Sequence, residues 1–204
     1  MMQLYYASTS PYVRKVMVTA HCLGLAQDIE WLDCAAHPIE RDERIAAFNP
    51  LAKVPALRTA AGLCLYDSRV ICEYLNAYAH GTLFPPAGDA RWRCLTRQAL
   101  GDGLLDAALL ARYEYSARPA DRQWSPWADA QLTKVAATLA EIERHAAQFN
   151  TEPEEIGLIT LGCGLGYLDF RFADLNWRKA YPLTAAWFAR FAAHPAMAAT
   201  HPHA

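Results

Sequence analysis

The chain has 204 residues, of which 53% are hydrophobic and 20% charged, with a formal net charge of −2. This is a globular composition, long enough for one large domain or two small ones and too apolar for a disordered chain. No basic block exceeds the pairs Arg14-Lys15 and Arg178-Lys179, which argues against nucleic acid or an anionic membrane as the main partner.

The first residues enter an apolar run directly, with no charged-then-apolar leader, so no secretory signal is expected. The longest uncharged apolar stretch, Ile156 to Leu168, falls well short of the roughly 20 residues that a membrane span needs. Cys22, Cys34, Cys64, Cys72, Cys94 and Cys163 are scattered, without a C-x-x-C pair or a zinc-type spacing. They are expected to be reduced thiols of a cytoplasmic protein, with no metal site. His201-Pro202-His203 has two readings, a metal-binding tail or a frayed terminus, and the second is favoured.

In chain order, Gln3 to Tyr6 is expected as a strand. Ser8, Thr9 and Ser10 supply hydroxyls at the bend that follows. Ser10 is placed to cap a helix whose first residue is Pro11. Val13, Val16, Met17 and Ala20 give that helix an apolar face. The hydroxyls then sit at the positive end of a helix dipole, where an anion is stabilised; an ordinary capped surface helix gives the same pattern. Ile29 to Asp33 is a second strand and Glu40 to Phe48 a short polar helix. Lys53 to Leu57 and Leu63 to Tyr66 are two brief strands around a Gly-containing turn. Asp67-Ser68 opens a helix with Val70, Ile71, Tyr74, Leu75 and Tyr78 on one face.

Gly81 to Asp89, with Pro85-Pro86 and Gly88, reads as a linker. Beyond it no strand pattern occurs. Arg91 to about Ser116 and Asp121 to about Gln148 are expected as long amphipathic helices, with Leu132, Val135, Leu139 and Ile142 buried in the second. Ile156 to Phe170 is apolar all round, as suits a helix in the middle of a bundle. Pro182 to Ala193 is a last helix carrying Trp187, Phe188 and Phe191. A small α/β domain is thus followed by an all-α domain.

Two further segments offer chemistry. In Asn49-Pro50-Leu51-Ala52-Lys53-Val54-Pro55, a cis bond before Pro55 would turn the N–H and C=O of Val54 outward, toward an extended peptide. A trans proline at the start of an edge strand is the alternative. Asp67-Ser68 combines a carboxylate, a hydroxyl and free helix N–H groups, a set that can hold an amino-acid head group or simply cap the helix.

LYYASTSPYVRKV, NPLAKVPAL, LYDSRVICEYL and LGCGLGYLDFRF, in this order and spacing, make the chain resemble the cytosolic glutathione S-transferases over essentially its whole length. The likeness is greatest to bacterial members with a Ser-Pro-Tyr/Phe start. The resemblance implies a thioredoxin-like glutathione-binding domain at 1–80, a linker at 81–89 and an all-helical domain at 90–204 lining an electrophile site. It implies Ser10 as the thiol-activating hydroxyl, with Thr9 and Ser8 as close competitors. By the same matching, Val54 pairs with the cysteinyl backbone of glutathione, Pro55 is the cis-proline, Asp67 and Ser68 hold the γ-glutamyl end, and Lys53 reaches the glycyl carboxylate. Ser8, Tyr12, Leu105, Arg112 and Tyr113 are the expected electrophile-site residues.

The implied activity is a detoxifying transfer of glutathione, the co-substrate, to a small hydrophobic electrophile, with no tightly bound cofactor. The implied assembly is a homodimer, with candidate contact faces around Tyr74 and Arg93. A non-catalytic binding or partner-recruiting protein on the same fold is the second reading. Disulfide exchange is disfavoured because Ser10 stands where redox-active relatives carry cysteine.

A second departure lies at the buried helix. Where many relatives have a Ser/Thr and an Asp as reciprocal cap, this chain has Glu155 and Leu158. With Gly157, Gly162, Gly164 and Gly166 in the same helix, a weak point is expected there. Glu155→Ser with Leu158→Asp is then expected to stabilise. Thr151 and Glu154, with Pro153 between them, offer an earlier start, but the later one at Ile156 is favoured.

Overall fold

The structure is a computed structural model that describes residues 1–152 and 154–203. It divides into two compact units, Met1–Arg91 with Pro195–Ala204, and Trp92–His194.

The first unit is built on four strands in the order β2-β1-β3-β4. Strand β1, Met2–Tyr6, is central and buries Met2, Leu4 and Tyr5. It pairs in parallel with β2, Ile29–Asp33, from Met2 opposite Ile29 to Tyr6 opposite Asp33. On its other side β3, Ala56–Arg58, runs antiparallel with Tyr5 opposite Ala56, and β4, Cys64–Leu65, closes the sheet. Strand β3 begins three residues later than expected. Pro55 has no N–H to give to a ladder, so Lys53 and Val54 stay outside the sheet.

Helix α1 is Pro11–Cys22 and α3 is Ser68–Tyr78; they pack against each other, with Val13, Val16, Met17 and Ala20 of the first and Ile71, Cys72 and Leu75 of the second buried. The Thr19 hydroxyl donates to the Cys72 sulfur across this contact at 3.4 Å. Only part of the apolar stripe expected on α3 is buried. Ile71 and Leu75 face the core, but Val70 and Tyr78 are exposed, with Tyr78 against Tyr74 at 6.0 Å between rings. Helix α2 is cut to Glu43–Ala46. Asp42 caps its start, and the N–H groups of Phe48 and Asn49 turn back onto the Ile45 carbonyl just before Pro50.

The second unit is helical. Helix α4, Gly88–Ser116, starts inside the expected linker. Helix α5, Ser125–His145, starts four residues later than expected, with Pro126 in its first turn and a 3-10 turn at Ala120–Arg122 before it. Then come α6, Ile156–Arg171, α7, Trp177–Ala180, and α8, Pro182–Ala192. Helix α6 is buried from Ile156 to Leu168. Trp187 packs on Phe191 and Phe149 and donates to the Asn150 carbonyl at 2.8 Å.

Helix α6 begins at Ile156, the later of the two starts; Pro153 lies outside the described residues. Glu155 gives its N-terminus no side-chain cap but holds Arg97 through two hydrogen bonds of 2.5 and 2.8 Å. Two of the four glycines of α6 are packed closely against α4. A Cβ on Gly157 would lie 2.7 Å from the Cys94 carbonyl oxygen and 2.8 Å from Cβ of Arg97, and one on Gly164 would lie 3.2 Å from a Leu104 methyl.

Two expectations about the C-terminus are corrected. Helix α9, Pro195–Ala198, packs on α1, so the chain from Pro195 onward belongs to the first unit and not to the helical domain drawn to 204. The tail is also docked, not frayed: Ala196, Met197 and Pro202 are buried. Buried Arg14 of α1 donates to the Met197 carbonyl at 3.1 Å. Among the described residues no cluster of metal-ligating side chains is found, and no single helix is long and apolar enough to cross a membrane.

Candidate active site

The sheet register brings three chain segments to one end of the first unit. Strand β1 runs out of the sheet at Tyr6 into Ser8, Thr9 and Ser10. Because β3 is antiparallel to β1, with Tyr5 opposite Ala56, the chain enters β3 through Val54 and Pro55 at that same end. Strand β4 leaves there as well, with Leu65 opposite Leu57, and hands on to Asp67 and Ser68.

Ser10 caps α1: its hydroxyl oxygen accepts from the Val13 N–H at 3.3 Å, and Pro11 is the first helical residue. Its own N–H donates to the Ala7 carbonyl at 3.0 Å, which fixes the bend. As the cap uses the oxygen as acceptor, the hydroxyl proton remains free to donate. Ser8, Thr9 and Tyr12 beside it are half-buried.

The Val54–Pro55 peptide is cis. The Val54 side chain packs on the cluster of Tyr5, Ile45 and Ala56, while its N–H and C=O make no hydrogen bond among the described residues. Asn49, 2% exposed, shapes this loop by donating to the Lys53 carbonyl at 2.9 Å and accepting from the Leu51 N–H at 3.0 Å. The sequence reading did not assign Asn49 a role; the visible signal was an Asn-Pro pair before a strand. The Lys53 side chain is exposed.

Asp67 caps α3 by accepting from the Arg69 N–H at 2.9 Å, and the peptide before it, Tyr66–Asp67, is also cis. Ser68 is the first residue of α3 and only 2% exposed. At this end of the sheet Cys34 follows β2 and donates to the Tyr6 carbonyl at 3.4 Å. Burial pushes its thiol up, so Cys34 stays protonated and is no rival nucleophile.

The remaining expected residues lie on α4 in the second unit. Leu105 is fully buried, a core side chain and not a lining one. Arg112 and Tyr113 are half-buried, and burial raises the Tyr113 phenol.

The family model for the glutathione S-transferase N-terminal domain matches residues 9–77. An uncharacterized GST-like protein of Escherichia coli K12, YibF, is 32% identical over 179 residues, 86% of each chain. The chain belongs to the glutathione S-transferase family. A solved family member from Pseudomonas fluorescens Pf-5, with bound glutathione, is 41% identical, with a TM-score of 0.94 and full coverage of both chains. A second structure of a family member from that strain, at 40% identity, TM-score 0.89 and full coverage, holds S-(propanoic acid)-glutathione. The four-stranded sheet with its flanking helices is the thioredoxin-like part of this fold, and Trp92–His194 its helical part.

Proposed function

We propose that this protein is a glutathione transferase that ionises bound glutathione for attack on a hydrophobic electrophile. The observation that carries the reading is the gathering, at one sheet end, of a hydroxyl at a helix N-terminus, the unpaired peptide groups of Val54 and the start of α3. Extended peptides are held by such unpaired backbone groups, and the Asp67-Ser68 start of α3 suits the γ-glutamyl head group. Lys53, exposed beside them, is assigned the glycyl carboxylate, and Pro55 holds Val54 in place. The glutathione-bound Pseudomonas relative supports this ligand.

A thiol with a pKa of about 8.5 is only a few per cent thiolate at neutral pH, and each unit of lowering needs about 1.4 kcal/mol of preference for the anion. The Ser10 proton and the α1 dipole act on that anion, with Thr9 and Ser8 as the neighbouring hydroxyls. The thiol proton leaves to solvent. The sulfur pair then forms the C–S bond, and the electrophile's leaving group departs with its own electron pair. Arg112 and Tyr113 of α4 are assigned to the electrophile.

A cytoplasmic, detoxifying homodimer is part of the same reading. Six cysteines, none of them in a disulfide among the described residues, fit a reducing compartment. The face of α3 carrying exposed Val70 and Tyr78, with half-buried Tyr74 beside Tyr78, fits a second copy. Sedimentation as a monomer at micromolar concentration would remove the dimer without touching catalysis.

Calorimetry with glutathione, followed by turnover of an aryl halide, tests the function. Ser10→Ala should lower turnover and move the pH–rate profile upward. Ser68→Ala should weaken glutathione binding by about 1–3 kcal/mol. Binding without turnover of any electrophile class would make the protein a non-catalytic member of the family. If Thr9→Ala is the crippling change, the activating hydroxyl is Thr9.

A further inference from the structure

Helices α4 and α6 run side by side in the same direction: Gly157 meets Cys94 and Arg97, Gly101 meets Thr160 and Leu161, and Gly164 meets Leu104. Beyond the last of these contacts, α6 carries Tyr167 within about one turn and Arg171 after about two, and α4 carries Arg112 and Tyr113 after about two. The four groups feel one another. Burial pushes the Tyr167 phenol up to about 12, with Arg112, Tyr113 and Arg171 all acting on it, so it remains a proton donor. Burial and then the charge of Arg112 push Arg171 down.

The two arginines are half-buried, close enough to repel, and neither pairs with a carboxylate among the described residues. Elsewhere in this unit Arg97, Arg118, Arg144 and Arg178 each hold a carboxylate. Arg122 and Arg190, without a carboxylate, are exposed to water. Arg171 is held over the Phe170 ring at 3.9 Å, which orients its guanidinium. Repelling, partly dehydrated guanidinium groups beside phenol donors are relieved by an anion, and a carboxylate matches their fork of donors.

We propose that Arg112 and Arg171, with the Tyr113 and Tyr167 hydroxyls, recognise a carboxylate carried by the electrophile, so that this transferase prefers anionic electrophiles. The proposal rests on the transferase reading for the word electrophile, but not for the anion site itself.

Two measurements separate the two claims. The first compares kcat/KM for 4-chloro-3,5-dinitrobenzoate with that for its neutral benzamide, in wild type, Arg112→Gln, Arg171→Gln and the Lys variants. The benzoate-to-benzamide ratio should fall about tenfold in the Gln variants, as loss of a charged hydrogen bond implies, and recover in part with Lys. The second, without glutathione, titrates the fluorescent sulfonate 8-anilinonaphthalene-1-sulfonate against neutral N-phenyl-1-naphthylamine. Here the Gln variants should lose affinity for the sulfonate selectively. Turnover of both electrophiles with an unchanged ratio overturns the anion site and leaves the transferase standing. Selective loss of the sulfonate in a protein that turns over no electrophile class keeps the anion site and overturns the transferase. No selective loss in either assay overturns the proposal.

Discussion

In the α/β unit the starts of α1, α2 and α3 are closed by the residue beside them: Ser10 accepts from the Val13 N–H, Asp42 from Arg44 and Asp67 from Arg69. In the helical unit α5, α6 and α8 begin without any such side chain. Their first N–H groups are met from a distance. Glu114 accepts from Trp124 at 2.7 Å, the Cys94 sulfur faces the N–H groups of Ile156 and Gly157, and Glu143 of α5 accepts from Leu183, Thr184 and the Thr184 hydroxyl. Local caps leave the helix start facing outward with donors to spare, which suits a ligand site. Remote caps tie one helix to another and belong to a core.

The change with the largest expected effect tests that difference at α6. Sequence alone made Leu158→Asp with Glu155→Ser a repair of a missing cap. Leu158 is 4% exposed, so aspartate there would bury a charge without a partner, while Glu155→Ser would strand Arg97. The double variant should lose about 3 kcal/mol or more in urea denaturation. A gain in stability would mean that α6 lacks a cap after all.

Next in size is Glu143→Ala, which removes the acceptor for three donors at the start of α8 and should cost about 2–3 kcal/mol. The pH dependence follows from the carboxyl's lowered pKa. Burial raises it, but the Thr184 and Leu183 N–H groups and the Thr184 hydroxyl outweigh that and hold it below the ordinary glutamate range. The contribution is therefore complete above the unfolded pKa and disappears as pH falls through the lower folded value. The stability gap between wild type and Glu143→Gln should be constant from neutrality to about pH 5 and narrow below it. A gap that widens in acid would contradict the assignment.

The same contrast explains what could be read in advance. Ser10 with Pro11, the Val54-Pro55 pair and Asp67-Ser68 are neighbours in the chain, so their local roles were legible, as were the strands of the sheet. Which face of α3 is buried was not, because that helix is apolar on two sides and only packing against α1 chooses between them. The docking of Pro195–Ala198 on α1 depends on contacts nearly two hundred residues apart in sequence, for which no local pattern exists. Arg171 and Tyr167 escaped notice for the same reason. They join Arg112 and Tyr113 only once the glycines have let α4 and α6 approach.

Those glycines give the finest test. Gly103 and Gly157 are both helical, one exposed on α4 and the other pressed between α4 and α6. If glycine acted on stability only through backbone freedom, alanine would stabilise at both by about 0.5–1 kcal/mol. At Gly103 a Cβ meets nothing within 4 Å, so that gain is expected in full. At Gly157 the Cβ would press on the Cys94 carbonyl oxygen, part of a helix backbone that cannot swing aside as a side chain can. Separating the two helices by even a few tenths of an ångström also weakens the Arg97–Glu155 pair two residues away. Gly157→Ala should therefore lose about 1–3 kcal/mol, the usual cost of overpacking. Opposite signs for the two alanines in parallel denaturation curves would assign the glycine of α6 to close packing, and equal gains would return it to chain flexibility.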